Sequence, residues 1–343
     1  MAVILGGIAA FFALMAVVVG VHEGGHFLAG RLFGMTIHHF SIGFGRPLLK
    51  YTSPRSGTLY ALRMLPLGGA VAIPATGQKS LATLTTPQKV FFYAAGPLAN
   101  VILGFTIFAA LHSADIIRPT PPIVAGFAAN SPAQRAGVAI GDRLLAVDGF
   151  KISSWMDLML VTALAPPDST ADLEIERQGA RHVMPVLRNG RFLGITGAMQ
   201  PQASTLSQSF WLAVNDIHTN LSQIVTVPRM LIYYGRSPVS AFSGPVGVAN
   251  AAGQAAASSH PLLDLALLIA AFSCGIAAAN LLPIPIMDGG RIVQALLERT
   301  FRARTSERIE KALAYTSIAI LLTLLVITTS NDIARALHRP EFF

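Results

Sequence analysis

Four stretches without a single Asp, Glu, Lys or Arg dominate the pattern of this chain, at 1–21, 90–114, 265–287 and 312–331. Each is near or above the roughly 20 residues that a helix needs to cross ~30 Å of hydrocarbon. The pattern predicts four membrane spans. Between the first two, FSIGFGRPLLKYTSPRSGTLYALRMLPLGGAVAI breaks into short apolar runs around a PRSG turn and Gly68-Gly69. That pattern predicts a β-hairpin over about 40–75, beside the membrane. Residues 120–200 change character again, with more charge and recurrent turns. The segment predicts a helix start at Ser131-Pro132, a stop at Gly137, a turn at Gly141-Asp142 and a strand through Leu144–Val147. Hairpin turns follow at Asp148-Gly149 and Gln178-Gly179. From Leu206, the residues Phe210, Val214, Ile217, Leu221 and Ile224 recur at steps of three and four, one face of an amphipathic helix. The Gly/Ala/Ser-rich stretch 243–259 reads as a connector or a loosely packed segment.

Charge then orients the spans. Only 12% of the 343 residues are charged, about half the usual share for a soluble domain. The net charge of +8 invites a nucleic-acid reading, but its distribution points to a membrane. Residues Arg31 through Lys89 hold seven Lys/Arg and no acid, and Arg291 through Lys311 hold six basic residues. Basic loops beside spans are cytoplasmic. The expected topology is N-terminus out, 31–89 in, 115–264 out, 291–311 in, C-terminus out. A cleaved signal peptide is the other reading of 1–21. That run lacks a basic start, and its apolar part exceeds the usual length. Cys274, the single cysteine, falls in the third span and reads as a small buried apolar residue.

The chemistry is concentrated in VHEGGHFLAG, at the end of the first uncharged run. His22 and His26, four apart on a helix, share one face about 6 Å apart along the axis. That spacing lets both imidazoles reach one zinc ion, and Glu23 can hold a water on the metal and take its proton. Ionisable side chains within a span are costly and generally functional. A catalytic zinc needs a third protein ligand. Asp288 in NLLPIPIMDGG is the candidate, placed where Pro283 and Pro285 prevent regular helix. An N-cap role for Asp288 at the helix that follows is the competing reading. Gly24 and Gly25 read as room beside the metal for a neighbouring helix or a substrate backbone. The other histidines, among them His112 and His338, have no spacing partner and read as surface or interfacial residues.

With HEGGHFLAG, GPLAN (96–100) and NLLPIPIMDGG on three spans, the chain resembles the site-2 protease family of intramembrane zinc metalloproteases, over nearly its whole length. The hairpin resembles that family's membrane-reentrant β-loop. SPAQRAGVAIGDRLLAVDG resembles a bacterial-type PDZ domain, and SGPVGVA (243–249) also looks family-like. The likeness is nearest to the regulator-of-sigma-E protease branch, which often carries two PDZ domains where this chain has room for one. The family's usual Leu before Asp-Gly is Met287 here.

The resemblance implies zinc held by His22, His26 and Asp288, with Glu23 as general base. Asn280 and Asn100 either hydrogen-bond the substrate backbone and order the site, or serve interhelical packing. It also implies substrates that are single-span membrane proteins already trimmed outside, such as anti-sigma factors or signal-peptide remnants.

The expected fold is a polytopic α-helical membrane protein with four transmembrane helices, a membrane-associated β-hairpin and one inserted α+β PDZ domain. The expected divisions are a membrane domain at 1–115, the PDZ domain at 120–200, an amphipathic helix and connector at 201–260, and a second membrane domain at 261–343. The expected location is the bacterial inner membrane. The active site would lie near the cytoplasmic side and the PDZ domain on the periplasmic side, with membrane-protein or peptide substrates, the lipid bilayer and no nucleic acid as partners. Two other readings compete: a membrane-anchored PDZ adaptor with a vestigial metal site, and a hydrolase of soluble peptides anchored by its spans.

Overall fold

The computed structural model describes residues 2–74, 79–117, 122–191, 193–197, 205–237, 239, 242–301 and 307–337. His338, residue 75 and the ends of the expected 120–200 segment lie outside them, as do 201–204. The elements run α1 (Ala2–Leu32), β1 (His39–Thr52), β2 (Leu59–Ala72), a 3-10 turn (Leu81–Thr83), α2 (Thr86–Ser113) and β3 (Val124–Phe127). There follow α3 (Pro132–Arg135), β4 (Arg143–Val147), β5 (Phe150–Lys151), α4 (Trp155–Leu164), β6 (Thr170–Arg177), β7 (Ala180–Leu187) and β8 (Ile195–Gly197). The chain closes with α5 (Leu206–Tyr233), α6 (Pro245–Ala256), α7 (Pro261–Asn280), α8 (Asp288–Phe301) and α9 (Glu307–Ala336). Four helices are long and apolar enough to cross a membrane, at Gly6–Leu32, Thr86–Ser113, Pro261–Asn280 and Lys311–Arg335. The first continues eleven residues beyond the uncharged run, so HEGGH lies inside the helix rather than at its end. Charge-free length understates a span that carries functional polar groups.

Residues divide into two compact units. The first holds Met1–Ala109, Ala213–Ile224 and Phe242–Phe343. Its centre is α1, where Phe11, Leu14, Met15, Val18 and Val19 are buried with Ala252 of α6 against Leu268, Ile269 and Phe272 of α7. Within lipid, apolar side chains gain nothing by leaving the solvent, so helices associate through close packing. Glycines mark the approaches. A Cβ on Gly7 would lie 3.1 Å from Gly253 Cα, and one on Gly104 would lie 2.7 Å from Cys274 Sγ. The stretch 243–259 is therefore not a loose connector. Its Gly and Ala residues form α6 and let it lie against α1.

A polar contact finishes that docking. Helix α6 starts at Gly244, which has no side chain to cap it. The buried Asp332 of α9 accepts from Gly247 N–H at 2.7 Å instead. Cβ atoms on Gly244 or Gly247 would lie about 3 Å from that carboxylate.

The expected hairpin is a more folded object. Strand β1 bends so that 47–52 runs antiparallel to 59–63 while 39–42 runs alongside 59–62, and 39–42 also pairs antiparallel with 69–72. The glycines in GFG have positive φ, 92° at Gly43 and 83° at Gly45, which makes the bend possible. Arg31 at the foot of α1 donates to Thr58 at 2.6 Å, and Thr58 donates to Ile37 O at 2.7 Å, fastening the sheet to the helix.

The second unit, Ala110–Leu212 with Val225–Ala241, holds an antiparallel sheet in the order β5-β4-β6-β7 and a pair β3-β8. The turns at Asp148-Gly149 and Gln178-Gly179 have φ of 53°, 77°, 53° and 80°, positive at both central positions as a two-residue hairpin requires. Helix α4 was missed by the periodicity reading. Its signal is the capping box of Ser154 with Asp157. The end of α5 joins this core through Met230 and Tyr234. Tyr234 donates to Asp148 at 2.6 Å, and Asp148 also pairs with the buried Arg188. Burial, then the Asp148 carboxylate, pushes the Tyr234 phenol well above its usual range. His112, expected at a surface, is buried with its ring facing Ile117 O at 3.2 Å.

Asp332→Ala should undock α6 at a cost of about 1–3 kcal/mol. A lower melting midpoint in detergent and faster hydrogen exchange around Gly247 are the expected readings. In the second unit, the Arg177 guanidinium on Asp142 holds that carboxyl below the usual carboxylate range. A depressed pKa stabilises above the unfolded value and ceases to do so as pH falls through the folded one. Exchange protection near 139–146 should therefore drop below about pH 4, and Asp142→Asn should remove that dependence.

Candidate active site

Helix α1 delivers His22, Glu23 and His26, and α8 opens with Asp288. The three ligand-type atoms converge. His22 Nε2 and His26 Nε2 are 3.3 Å apart, and Asp288 Oδ2 lies 3.2 Å from the first and 3.4 Å from the second. Three donors around a tetrahedral ion at 2.0–2.1 Å would be separated by about 3.3 Å. The donor set thus fits a zinc ion without rearrangement, leaving a fourth direction open. Asp288 Oδ2 is buried with no hydrogen-bond donor among the described residues, a state that a cation would relieve. Asp288 is not the cap of α8, because Met287 O takes the first helical bond from Arg291 N at 3.1 Å.

The segment 281–287 is non-helical, as the two prolines require. It folds back so tightly that a Cβ on Gly289 would strike the carbonyls of Leu281 and Leu282, and one on Gly290 that of Ile284. The two glycines after Asp288 are thus what let α8 begin there.

A second helix fixes the rings. His26 Nδ1 faces Phe92 O of α2 at 2.8 Å. A proton on Nδ1, donated to that carbonyl, leaves Nε2 free for a metal. Against the ring lies Gly96, where a Cβ would strike His26 Nε2, and a Cβ on Gly25 would strike Ala95 O. Gly25 gives the room expected of it. Gly24 faces open space instead, with no neighbouring helix against it, since a Cβ there would meet nothing within 4 Å.

Glu23 is bounded by the sheet. A Cβ on Gly69 would lie 2.5 Å from Glu23 Cγ, and the same glycine sits against Ser41 O. A cavity of about 290 Å³ opens on His22, Glu23, His26 and Asp288, with Asn280, Val71 and Tyr93 in its wall. Asn100 is elsewhere. It is fully buried, and its carbonyl accepts from Ser273 of α7 at 3.0 Å. Its side-chain amide has no partner among the described residues. Sequence reasoning missed Phe92, Gly96 and Gly69. Only Gly96 and Gly69 had a local signal, in GPLAN and LPLGGAV.

Gly25→Leu and Gly96→Val should reduce zinc content and cleavage together, by tenfold or more, on the order expected when the outer partners of a metal ligand are disturbed. Gly24→Ala should leave both within about twofold, since it adds helix propensity and meets no neighbour.

These geometries meet the comparisons with known proteins. The sequence model described as peptidase family M50 matches residues 10–324. Two proteins bearing the name "Putative zinc metalloprotease" are similar: one from Mesorhizobium japonicum at 30% identity over 96% of this chain and 99% of its own, and one from Agrobacterium fabrum at 31% over 96% of each. "Metalloprotease MmpA" of Caulobacter vibrioides is 28% identical over 94% of each chain. With the family matched across both the histidine pair and Asp288, this chain belongs to peptidase family M50, the site-2 protease family of membrane zinc metalloendopeptidases.

Proposed function

We propose that this protein is a zinc-dependent intramembrane endopeptidase of the regulator-of-sigma-E type, cutting single-span proteins that have already been trimmed outside the membrane. The observation that carries the reading is the triangle of His22, His26 and Asp288, with Glu23 beside it, on helices that span or adjoin the membrane.

His22, His26 and Asp288 would hold zinc, which would supply Lewis acidity toward a peptide carbonyl. Glu23, adjacent to the first ligand, takes the proton of the attacking water and returns it to the departing amide nitrogen. In this reading Asn280, in the cavity wall, holds substrate backbone; Asn100 is buried away from the cavity, and its backbone carbonyl joins α2 to α7. A substrate helix hides its carbonyls in its own hydrogen bonds and must unwind before attack. The limb 69–72 supports a way to hold it. That limb pairs with 39–42 on one side, no described strand pairs with its other edge, and Gly69 lies on Glu23. An unwound segment adds to this edge as a further strand and lies across the catalytic carboxylate.

The two antiparallel sheets with α3 and α4 support the PDZ reading, a single domain that screens substrates by bulk or by an exposed C-terminus. The basic runs 31–89 and 291–311 support a bacterial inner-membrane topology, with the site toward the cytoplasm and the PDZ domain outside.

The test is cleavage by purified wild type and Glu23→Gln at equal zinc content, with a transmembrane substrate and a soluble peptide. Glu23→Gln should lose at least about 100-fold in cleavage of the membrane substrate. Equal rates in the two proteins would sink the catalytic assignment of Glu23. No cleavage of either substrate by zinc-loaded wild type would return the protein to a PDZ adaptor, and cleavage of the soluble peptide alone to an anchored soluble-peptide hydrolase. Ala70→Pro and Val71→Pro each delete one amide of the limb, and the one whose N–H faces outward should cut substrate cleavage tenfold or more. If neither variant changes cleavage or substrate binding, strand addition is wrong.

A further inference from the structure

Helix α8 carries a feature that the catalytic reading does not use. Its 14 residues reach about 21 Å, too short to span the hydrocarbon. It connects two membrane-spanning helices, α7 and α9, so both of its ends are tied to one face of the bilayer. Val293, Leu296, Leu297 and Phe301 fall on one arc of the helix and are 40%, 47%, 50% and 72% exposed. The stripe flanking that arc is polar and internally bonded, from Arg291 to Gln294 and from Gln294 to Glu298, each at 3.3 Å. Arg299, two residues on from Leu297, falls on the opposite side of the helix. Across 291–311 there are six basic residues against three acidic. A helix with an unpartnered apolar arc, a polar stripe and a positive surround lies in the headgroup plane of an anionic membrane.

The first residue of this helix is Asp288, and its first turn is locked. Gly289 and Gly290 lie against the carbonyls of the 281–284 loop with no room for a Cβ. Any roll or lift of α8 therefore moves the Asp288 carboxylate relative to His22 and His26. We infer that α8 is a membrane-surface helix whose seating in anionic lipid sets the position of Asp288, so that headgroup charge tunes how firmly the site holds its metal. The inference rests on Asp288 being a metal ligand, but its readouts are lipid exposure and zinc retention rather than cleavage, so it can fail while the protease reading stands.

The full chain, with Cys274→Ala and a spin label at Leu297→Cys or Arg299→Cys, is reconstituted in phosphatidylcholine vesicles with and without phosphatidylglycerol. Position 297 should collide with oxygen and be shielded from a water-soluble nickel complex, with the reverse at 299, about 200° away on the helix. Phosphatidylglycerol should deepen the burial of 297, and the pair Arg291→Gln and Arg299→Gln in the 297-labelled chain should abolish that deepening. In the same vesicles, zinc loss to a chelator from the unlabelled protein should be slower with phosphatidylglycerol. Leu296→Glu with Leu297→Glu should speed it about tenfold, the scale at which outer supports affect metal affinity. The milder arginine pair should remove the lipid dependence without unfolding the helix. Nickel access at 297 equal to that at 299 would overturn the lipid seat. So would shielding of 297 from both reagents, which would mean a second copy or another protein covers the arc. Zinc loss indifferent to lipid charge and to all these substitutions would overturn the coupling to Asp288.

Discussion

The close approach of α1 and α2 at Gly25, Ala95 and Gly96 is the contact on which the rest of the arrangement depends. Two helices that meet in lipid receive no hydrophobic drive, so backbone must come near backbone for dispersion and polar contacts to hold them. Here that approach also seats the His26 ring against Gly96 and brings Phe92 O to its Nδ1. The same contact thus serves packing and ligand orientation. A bulkier residue at 25 or 96 would separate the helices and turn the ring together.

The second constraint is polar backbone at membrane depth. Non-helical chain is tolerated there only where its N–H and C=O groups find partners or line a cavity. Among the described residues of the unit that carries the four span-length helices, two non-helical stretches border the site. The 281–287 break is stabilised by its own short turns and delivers Asp288. The bent strands β1 and β2 satisfy one another, and the limb 69–72 comes to rest on Glu23. In both, irregular chain brings a backbone edge or a carboxylate to the site. The α6–α9 contact extends this economy, with one buried carboxylate on α9 supplying the helix cap that Gly244 lacks.

Much of the site was legible because its chemistry is local. The His-Glu-x-x-His spacing defines a helix face by geometry alone, and the proline pair before Asp288 announces a break. The turns of the second unit were legible for the same reason, since Asp-Gly and Gln-Gly meet a backbone requirement within two residues. The misreadings share a different origin. Residues 243–259 looked slack because small side chains carry no periodic signal, yet small side chains are what a close helix contact needs. Gly24 and Gly25 are adjacent and identical, and only their neighbours distinguish them. Asn100 and Asn280 are one residue type at two span positions, and only the fold separates them: Asn280 lines the cavity, while Asn100 is buried away from it with its backbone carbonyl on Ser273.

Sequence alone determined that four stretches of this chain are long and apolar enough to span a membrane, that a histidine pair and a glutamate share one helix face, and that an aspartate waits at a helix break. Hydropathy length and helical period are properties of contiguous residues, so no folding is needed to read them. Tertiary structure decided that Asp288 completes a triangle with sides of 3.2–3.4 Å, that Gly69 lies on Glu23, and that Asp332 caps α6. Each of these joins residues tens to hundreds of positions apart, through backbone approaches that depend on what is missing from a side chain as much as on what is present.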